Sequence, residues 1–347
     1  DVYKRQGYTH LMENVGQTSN RGVELSLTGY IMDRPDFTLN ATFNIGRNKN
    51  KIDKLARGEK EMVLSSGWAG SQLLNSDDYR AYVGGTTGLI YGFVNDGFYT
   101  VDDFKPFDSK SRTWTLKDGV VNSSPLSGDP RPGNAKFKKL TPVDENSANP
   151  YTLTDDDRTV IGNTTPKFSG GFGLNATFKG FDVSAFFNFM YDFDVFNANK
   201  VMMTTWASNN YNNFSMDISA AKRWRNFDDM GNEIRYSPEI LAEFNKNATM
   251  WNPTSIGRPI AMSYAVEDGS FLRLNTATIG YTLPRAWTNK VGLSRVRFYA
   301  SGYNLFTITG YSGYDPEVDI ATGLTPNIDN NRYPRSRTYT FGVQLTF

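Results

Sequence analysis

The sequence predicts an all-β fold, the C-terminal part of a large transmembrane β-barrel with about seven to eight antiparallel strands and long extracellular loops. Three observations predict this fold. Apolar and polar side chains alternate along residues 337–347, up to the last position. The connections between the predicted strands are alternately short and long. No run of about eighteen apolar residues, the length that a membrane-spanning helix needs, occurs in the chain.

The terminal segment carries the clearest signal. Its apolar side consists of Tyr339, Phe341, Val343, Leu345 and Phe347, while threonine, glutamine and glycine occupy the other side. Because successive side chains of a strand point to opposite faces, the segment predicts a strand between lipid and water. The row that ends at Phe347 also looks like the signal that barrel-assembly machinery reads. A soluble protein seldom leaves so apolar a terminus. The closing strand of a soluble β-sandwich remains the alternative for this segment taken alone.

Six further segments alternate in the same way. They are residues 21–31, 37–46, 167–178, 181–192, 271–283 and 295–306. Residues 3–12 could add an eighth strand. Turns are predicted at Asp33-Arg34-Pro35-Asp36 and at Lys179-Gly180, where proline and glycine favour a reversal of the chain.

The connections favour a membrane barrel over a soluble sandwich. The short ones are 32–36, 179–180 and 284–294, and the long ones are about 50–166, 193–270 and 307–336. Outer-membrane barrels have short periplasmic turns and long extracellular loops. An open sheet edge in lipid costs several kcal/mol per unpaired backbone group, so a larger barrel is expected. Residues 1–6 have no apolar stretch behind them, so either the protein is cytosolic or its true N-terminus lies upstream. We expect the second, with a signal peptide upstream, and the origin of these six residues is left open.

Composition excludes several kinds of chemistry. The chain has no cysteine and one histidine, His10, which removes thiolate sites and makes imidazole-based catalysis improbable. With 37 basic and 36 acidic side chains, the net charge of +1 gives no basis for nucleic-acid binding. We therefore predict a protein that is not an enzyme and needs no cofactor or metal.

The long loops are rich in aromatic residues. Five of the six tryptophans lie there, namely Trp68, Trp114, Trp206, Trp224 and Trp251, whereas Trp287 lies in a short turn, where it suits a membrane interface. The loop tryptophans could contact a glycan or peptide, or they could form the cores of the loops, and the sequence leaves both open. A short helix is predicted over 237–244, with Ser237 as its cap and Pro238 in its first turn.

Three stretches resemble the SusC/RagA family of TonB-dependent outer-membrane transporters. They read EDGSFLRLNTATIGYTLP (267–284), YASGYNLFTITGYSGYDPEV (299–318) and YPRSRTYTFGVQLTF (333–347), and residues 14–25, 89–100 and 157–172 are similar to the same family in the same order. The motif residues are Gly269, Ser270, Phe271, Leu272, Arg273, Asn304, Leu305, Phe306, Tyr311, Gly313, Asp315 and Pro316. The resemblance covers most of the chain, and the loops diverge most.

The resemblance implies active import across the outer membrane of a Gram-negative bacterium. The expected cargo is a glycan or peptide, the expected partners are a SusD-like surface lipoprotein, TonB and outer-membrane lipid, and the signal peptide, N-terminal domain and plug would lie upstream of residue 1. Polar residues that could line the path are Asn40, Asn44, Asn175, Asp182 and Asn188. Asp155, Asp156 and Asp157 are consecutive, unlike a calcium loop, so we expect a solvated acidic turn there.

Two other functions remain open. A soluble glycan-binding or glycan-degrading β-protein could use carboxylates from separate strands as a pair. A passive porin-like barrel would share the strand pattern but would lack a plug and a TonB-contacting segment.

Overall fold

The computed structural model describes residues 16–70, 73–75, 77–205, 214–318 and 323–347. The possible strand at 3–12, His10 and Trp206 lie outside these residues. In the part of the chain that is described, no helix combines the length and the apolar character needed to cross a membrane.

The described residues are mostly strands and loops, with a few short helices. The strands are β1 Gly16–Arg34, β2 Phe37–Leu55, β3 Glu61–Leu64, β4 Tyr79–Tyr82, β5 Leu89–Gly92, β6 Asn95–Phe98, β7 Ala135–Phe137, β8 Thr159–Asn163, β9 Phe168–Phe178, β10 Phe181–Tyr191, β11 Asp194–Asn197, β12 Val266–Asp268, β13 Phe271–Thr282, β14 Arg295–Thr309, β15 Ile328–Asp329 and β16 Thr338–Thr346. The helices are α1 Ser124–Ser127, α2 Ala198–Met202, α3 Pro238–Phe244 and α4 Arg285–Thr288. Single 3₁₀ turns include Val101–Asp103, Asp155–Asp157, Met216–Ile218, Pro253–Ser255, Ser263–Ala265 and Asn289–Val291.

Seven long strands form one antiparallel sheet, which we call the main sheet. Its order, β1-β2-β9-β10-β13-β14-β16, follows the chain, so the sheet runs up and down without a crossover. All seven predicted strands are present. β1 and β2 extend further than predicted, to Gly16 and Leu55, because their ends continue into the loops: Ile52 exchanges two backbone hydrogen bonds of 2.8 Å with Gly84 and Gly85.

The register aligns the predicted apolar rows into one continuous face, which we call the outer face. One line of paired residues across it reads Leu27, Phe43, Phe172, Phe187, Leu274 and Phe306. These rows are solvent-accessible, with Val23 77% and Phe341 81% exposed. A β-sandwich would bury them between two sheets. The β-sandwich alternative is therefore wrong, and the opposite side of the sheet, the inner face, carries the polar residues.

The connections alternate as predicted. Residues 35–36, 179–180 and 283–294 make the short joins, and residues 56–167, 192–270 and 310–337 make the long ones. Because the strands run up and down in chain order, every long connection leaves from the same end of the main sheet. We call this set of long connections the loop layer.

The loop layer has its own core. It contains a four-stranded sheet (β3-β4-β5-β8), a three-stranded sheet (β12-β11-β15) and a two-stranded sheet (β6-β7). Its largest apolar cluster includes Tyr79, Ile90, Phe93, Phe137, Phe196, Trp251 and Met262. Trp251 and Trp224 are almost fully buried, so these two tryptophans form loop cores and not ligand contacts. Trp287, in the short join, is exposed.

The predicted helix over 237–244 forms as α3, with Ser237 at the N-cap position and Pro238 in the first turn, as predicted. The Ser237 side chain accepts no hydrogen bond from the first turn. The backbone carbonyl of Ser237 instead accepts a 2.8 Å hydrogen bond from Leu241 N–H, and Pro238 at the first helical position has no N–H that would need a partner.

Candidate functional site on the inner face and in the loop layer

The inner face presents a ladder of polar side chains. Asn175 Nδ2 donates to Asn40 Oδ1 over 3.1 Å, and the hydroxyl oxygens of Thr278 and Ser301 lie 2.8 Å apart. Residues directly opposite each other in antiparallel strands are close enough for such bonds. The inner face is thus a hydrogen-bonding wall suited to water and polar solutes.

An ion pair crosses β13 on the inner face. Arg297 of β14 donates from Nε to Asp182 Oδ1 of β10 over 2.9 Å. Gly280 lies between them, and a Cβ at that position would be 2.5 Å from Arg297 Nη2. The glycine therefore allows the guanidinium group to lie across the strand. Asp182 was predicted to line the path, but Arg297, 115 residues away, carried no sequence signal.

Arg273 is a fully buried cation where the inner face meets the loop layer. It is 1% exposed, and its Nη2 donates to Asp315 Oδ1 over 2.5 Å. Its Nη1 lies 3.2 Å from Glu317 Oε2, and Glu317 Oε1 accepts a 3.2 Å hydrogen bond from Arg335. The motif residues Arg273 and Asp315 are thus brought together. The network joins β13, the segment 310–318 and the residues that lead into β16.

Pro316 and Tyr311 anchor the same segment. Pro316 is buried, and the Tyr311 hydroxyl donates to Asp329 Oδ2 over 2.7 Å. Burial, with the adjacent Asp329 carboxylate, raises the pKa of Tyr311, so that the hydroxyl keeps its proton and remains a donor. A Cβ at Gly313 would lie 2.4 Å from the Tyr311 ring, which makes glycine necessary there.

The start of β13 packs against the second long connection through three motif residues, Gly269, Ser270 and Phe271. A Cβ at Gly269 would lie 2.5 Å from the Phe193 ring. Ser270 Oγ accepts a 2.8 Å hydrogen bond from Asp192 N–H, and Phe271 packs edge to face on Phe193. These three motif residues have a structural role beside the Arg273 network.

The remaining motif residues do not join that network. Leu272 and Phe306 belong to outer-face rows, and Phe306 contacts Phe187 edge to face. Asn304 adopts a left-handed backbone (φ 52°) where the pairing of β13 with β14 shifts, and its Nδ2 donates to Ser336 O over 3.1 Å. The Leu305 side chain fills the space above Gly302, 2.6 Å from where a Cβ would be.

The residues of the predicted terminal strand lie on the outer face. Tyr339, Val343 and Leu345 are at least half exposed, Phe341 is 81% exposed, and Phe347 follows the end of β16. β16 pairs with β14 along one edge, with Phe341 opposite Ala300.

Asp157 corrects the predicted acidic turn. Asp155 and Asp156 are exposed, but Asp157 is fully buried and is therefore not solvated. Its carboxylate accepts hydrogen bonds from the backbone N–H groups of Leu140 (2.9 Å), Thr141 (2.8 Å) and Thr154 (2.8 Å), and Lys139 Nζ lies 3.3 Å away. Asp157 thus connects the loop around residue 140 to the turn at 155–157.

The stability of the loop layer is expected to depend on the charge of Asp157. Burial alone would raise the pKa of this carboxyl, but the hydrogen bonds from Thr141, Thr154 and Leu140 outweigh burial and lower the pKa from 3.8 to about 2. A lowered pKa stabilises the fold above about pH 4, and that contribution is lost as the pH falls towards 2. Asp157→Asn should lower the free energy of unfolding by about 1.5–3 kcal/mol at neutral pH and weaken the acid dependence. Tryptophan fluorescence during acid titration measures both effects.

Asp156→Asn is the matched control because Asp156 is the exposed neighbour of Asp157 in the same turn. It should leave the acid transition where it is in the parent protein. Equal shifts in the two variants would contradict the role assigned to Asp157.

The loop layer also contains a polar cleft of about 460 Å³. Its lining residues include Trp114 and the polar side chains of Arg131, Asn134, Asn226 and Arg235. Such a lining suits the binding of a polar solute. Among the described residues, no group of three or more histidine, aspartate or glutamate side chains is placed to hold a metal ion.

Comparison with known proteins gives consistent matches. The chain is 30% identical over 347 residues to TonB-dependent receptor P3 of Formosa agariphila, covering 98% of this chain and 30% of that protein. It is 24% identical over 344 residues to TonB-dependent receptor SusC of Bacteroides thetaiotaomicron, covering 97% of this chain and 27% of SusC. The chain thus spans about a third or less of the length of these curated relatives. No family model matches it.

Solved structures give the same fold. The RagAB peptide importer in its closed-closed state matches with a TM-score of 0.67 and 23% identity, over 99% of this chain and 31% of the RagAB chain. The open-open state of the same importer matches with a TM-score of 0.65. The relatives are receptors and importers, not enzymes. In sequence and in fold, this chain resembles about a third of a SusC/RagA-like TonB-dependent receptor.

Proposed function

We propose that this chain forms part of the barrel wall and several extracellular loops of an outer-membrane transporter that imports a nutrient, such as a glycan or peptide, in a TonB-dependent manner. The observation that carries this proposal is the continuous, exposed apolar outer face of the main sheet, opposite a polar inner face. Water would not favour so large an apolar surface, whereas acyl chains would.

The dimensions of the outer face support a membrane location. On β9 the outer row runs from Phe168 to Phe178, which are ten residue steps apart along the strand. At about 3.3 Å per residue and a tilt of about 45°, this row is roughly 23 Å tall, close to the apolar band of about 25 Å in outer-membrane barrels. Aromatic residues flank the row, with Tyr191 paired to Phe168 at the loop end and Phe181 paired to Phe178 at the other.

The remainder of the transporter belongs to sequence outside this chain. We assign to it the signal peptide, the N-terminal domain, the plug and the segment that contacts TonB, in keeping with relatives about three times as long. A SusD-like lipoprotein would cover the loop layer from outside the cell. RagAB is described as a peptide importer, which supports a peptide as one class of cargo, and the polar cleft beside Trp114 suits a glycan equally.

Uptake by cells tests this proposal. Gram-negative cells that express the receptor containing this chain, with its partner lipoprotein, should accumulate a labelled oligosaccharide or oligopeptide from a mixed pool. A protonophore should abolish the accumulation, because TonB draws on the proton motive force. Continued uptake at the same rate after the protonophore would contradict active import and support the passive barrel. Cells that express the receptor without its plug provide the control for passive entry.

A further inference from the structure

We propose that the outer face of β1 and β2 binds a phosphate group of an outer-leaflet glycolipid, through a basic patch formed by Arg21, Arg47, Lys49 and Lys51. The inference rests on the proposed function in one respect, namely that the apolar outer face lies in the outer membrane with the loop layer outside the cell. It adds to the expected lipid contact a specific site for a phosphorylated headgroup, which transport itself does not require.

The four basic side chains share the outer face with the apolar rows. Leu25 pairs with Ile45, Val23 with Arg47, Arg21 with Lys49, and Ser19 with Lys51. Since side chains alternate along a strand, the apolar row on β2 changes at residue 47 into a basic row, without a change of face. Arg47 confirms this direction: its guanidinium carbon lies 5.8 Å from the ring centre of Phe168, at the loop end of the outer row of β9. The patch therefore begins where the apolar surface ends.

The positive charge of the patch is largely uncompensated. Lys51 Nζ lies 3.9 Å from Asp53, and the neighbouring Lys167 lies 3.2 Å from Asp192. Within the described residues, no carboxylate forms an ion pair with Arg21, Arg47 or Lys49. All four residues of the patch are exposed. Like charges on facing strands repel each other, so an anion between them would stabilise this arrangement.

A cleft of about 440 Å³ lies beside the patch. Its lining includes Arg47, Asn48, Lys49, Thr165 and Lys167, together with the carboxylates of Asp192 and Asp194. Lys167 offsets Asp192, and Asp194 accepts a 2.7 Å hydrogen bond from Asn163 N–H. The cleft thus offers amide, hydroxyl and cationic donors to a phosphorylated sugar.

The position of the patch favours a lipid over a soluble anion. Acyl chains of a glycolipid would lie on Val23, Leu25 and Ile45, and its phosphate would reach Arg47 and Lys49, two and four residues beyond Ile45 on the same face of β2. A free phosphate would gain only the second set of contacts. Basic residues next to an apolar surface bind anionic headgroups through this combination of burial and charge.

Lipid binding by the purified receptor tests the proposal. The full receptor is extracted in mild detergent, and its affinity for bis-phosphorylated lipid A and for enzymatically dephosphorylated lipid A is measured in mixed micelles by native mass spectrometry. The double variant Arg47→Gln, Lys49→Gln should bind the phosphorylated form about tenfold to thirtyfold more weakly than the parent. The double variant Lys179→Gln, Lys290→Gln, which removes the same charge at the short-turn end, should bind like the parent.

Two results would overturn the proposal. Equal affinity of the parent for the phosphorylated and dephosphorylated forms would mean that apolar contact alone holds the lipid. Displacement of lipid A by millimolar inorganic phosphate alone would indicate a site for a soluble anion. Failure of the membrane assignment is distinguishable from both, because the parent would then bind neither form of the lipid and would not be recovered from the outer-membrane fraction.

Discussion

Replacing Arg273 with methionine is expected to detach the segment 310–318 from the inner face of the main sheet. Methionine has a similar length but no charge, so Asp315 would remain buried without a cation. Removing one partner of a buried ion pair typically costs about 3–5 kcal/mol. In the full receptor, limited proteolysis should then cut within the third long connection, and the thermal unfolding midpoint should fall.

Two further variants distinguish the loss of the buried ion pair from the loss of a positive charge in general. Arg335 also contacts Glu317, but its side chain is 44% exposed, so Arg335→Met should cost less than about 1 kcal/mol. Arg273→Lys keeps the charge but loses the planar fork that reaches Asp315 and Glu317 together, so it should fall between the two. Equal protease sensitivity of the Arg273→Met and Arg335→Met variants would show that Arg273 does not hold this segment.

The main sheet could be predicted from the sequence because each of its strands has one apolar and one polar side. A period of two is readable over as few as ten residues, as the pairing of Phe172 with Phe187 and of Asn175 with Ser184 illustrates. The turns at 35–36 and 179–180 carry proline or glycine, which fixes where each hairpin reverses. The predicted strand over 37–46 is shorter than β2. The apolar row gives way to basic residues at Arg47, although the pairing with β1 continues to Leu55.

The loop layer could not be predicted in the same detail. Its strands are short, and what decides their arrangement is contact between distant segments, such as Leu74 N–H with Pro259 O. Asp157 shows the difficulty at one residue. Three consecutive aspartates suggest a solvated turn, yet the donors that make burial of Asp157 favourable come from Leu140 and Thr141, which no local pattern connects to it.

For a related reason, individual residues of the candidate site could be predicted from the sequence, but their contacts could not. The resemblance to SusC and RagA selected Arg273 and Asp315 one by one, but their contact spans 42 residues and depends on how the segment 310–318 folds back. Asp182 pairs with Gly280 and Arg297 pairs with Thr282, so the register places the two residues on neighbouring lines of the same face, and the guanidinium reaches Asp182 across β13. A sequence pattern gives the face of a strand, whereas partners across strands require the register.

Replacing Phe341 with arginine is the second large effect that we expect, and it tests the lipid-facing side of the main sheet. Phe341 is 81% exposed on the outer face of β16, opposite Ala300. In water such a substitution at an exposed site would cost little. In the apolar band of a membrane, arginine should cost roughly 2–4 kcal/mol near the midplane, and the loss of the ring removes further apolar burial in lipid. The fraction of full receptor that reaches the outer membrane in heat-resistant form should therefore fall sharply.

Thr340→Arg is the matched control, one residue away on the same strand. Thr340 lies on the inner face opposite Ser301, where water and polar side chains would surround the new charge. Its variant should assemble nearly as well as the parent receptor. Residues 340 and 341 have nearly the same depth, partner strand and distance from the terminus. A difference in assembly between the two variants would therefore reflect which face of β16 carries the arginine, and not the tolerance of the strand to arginine in general. If both variants assembled equally well, the outer face of β16 would not contact lipid, and the membrane assignment of the whole main sheet would fail.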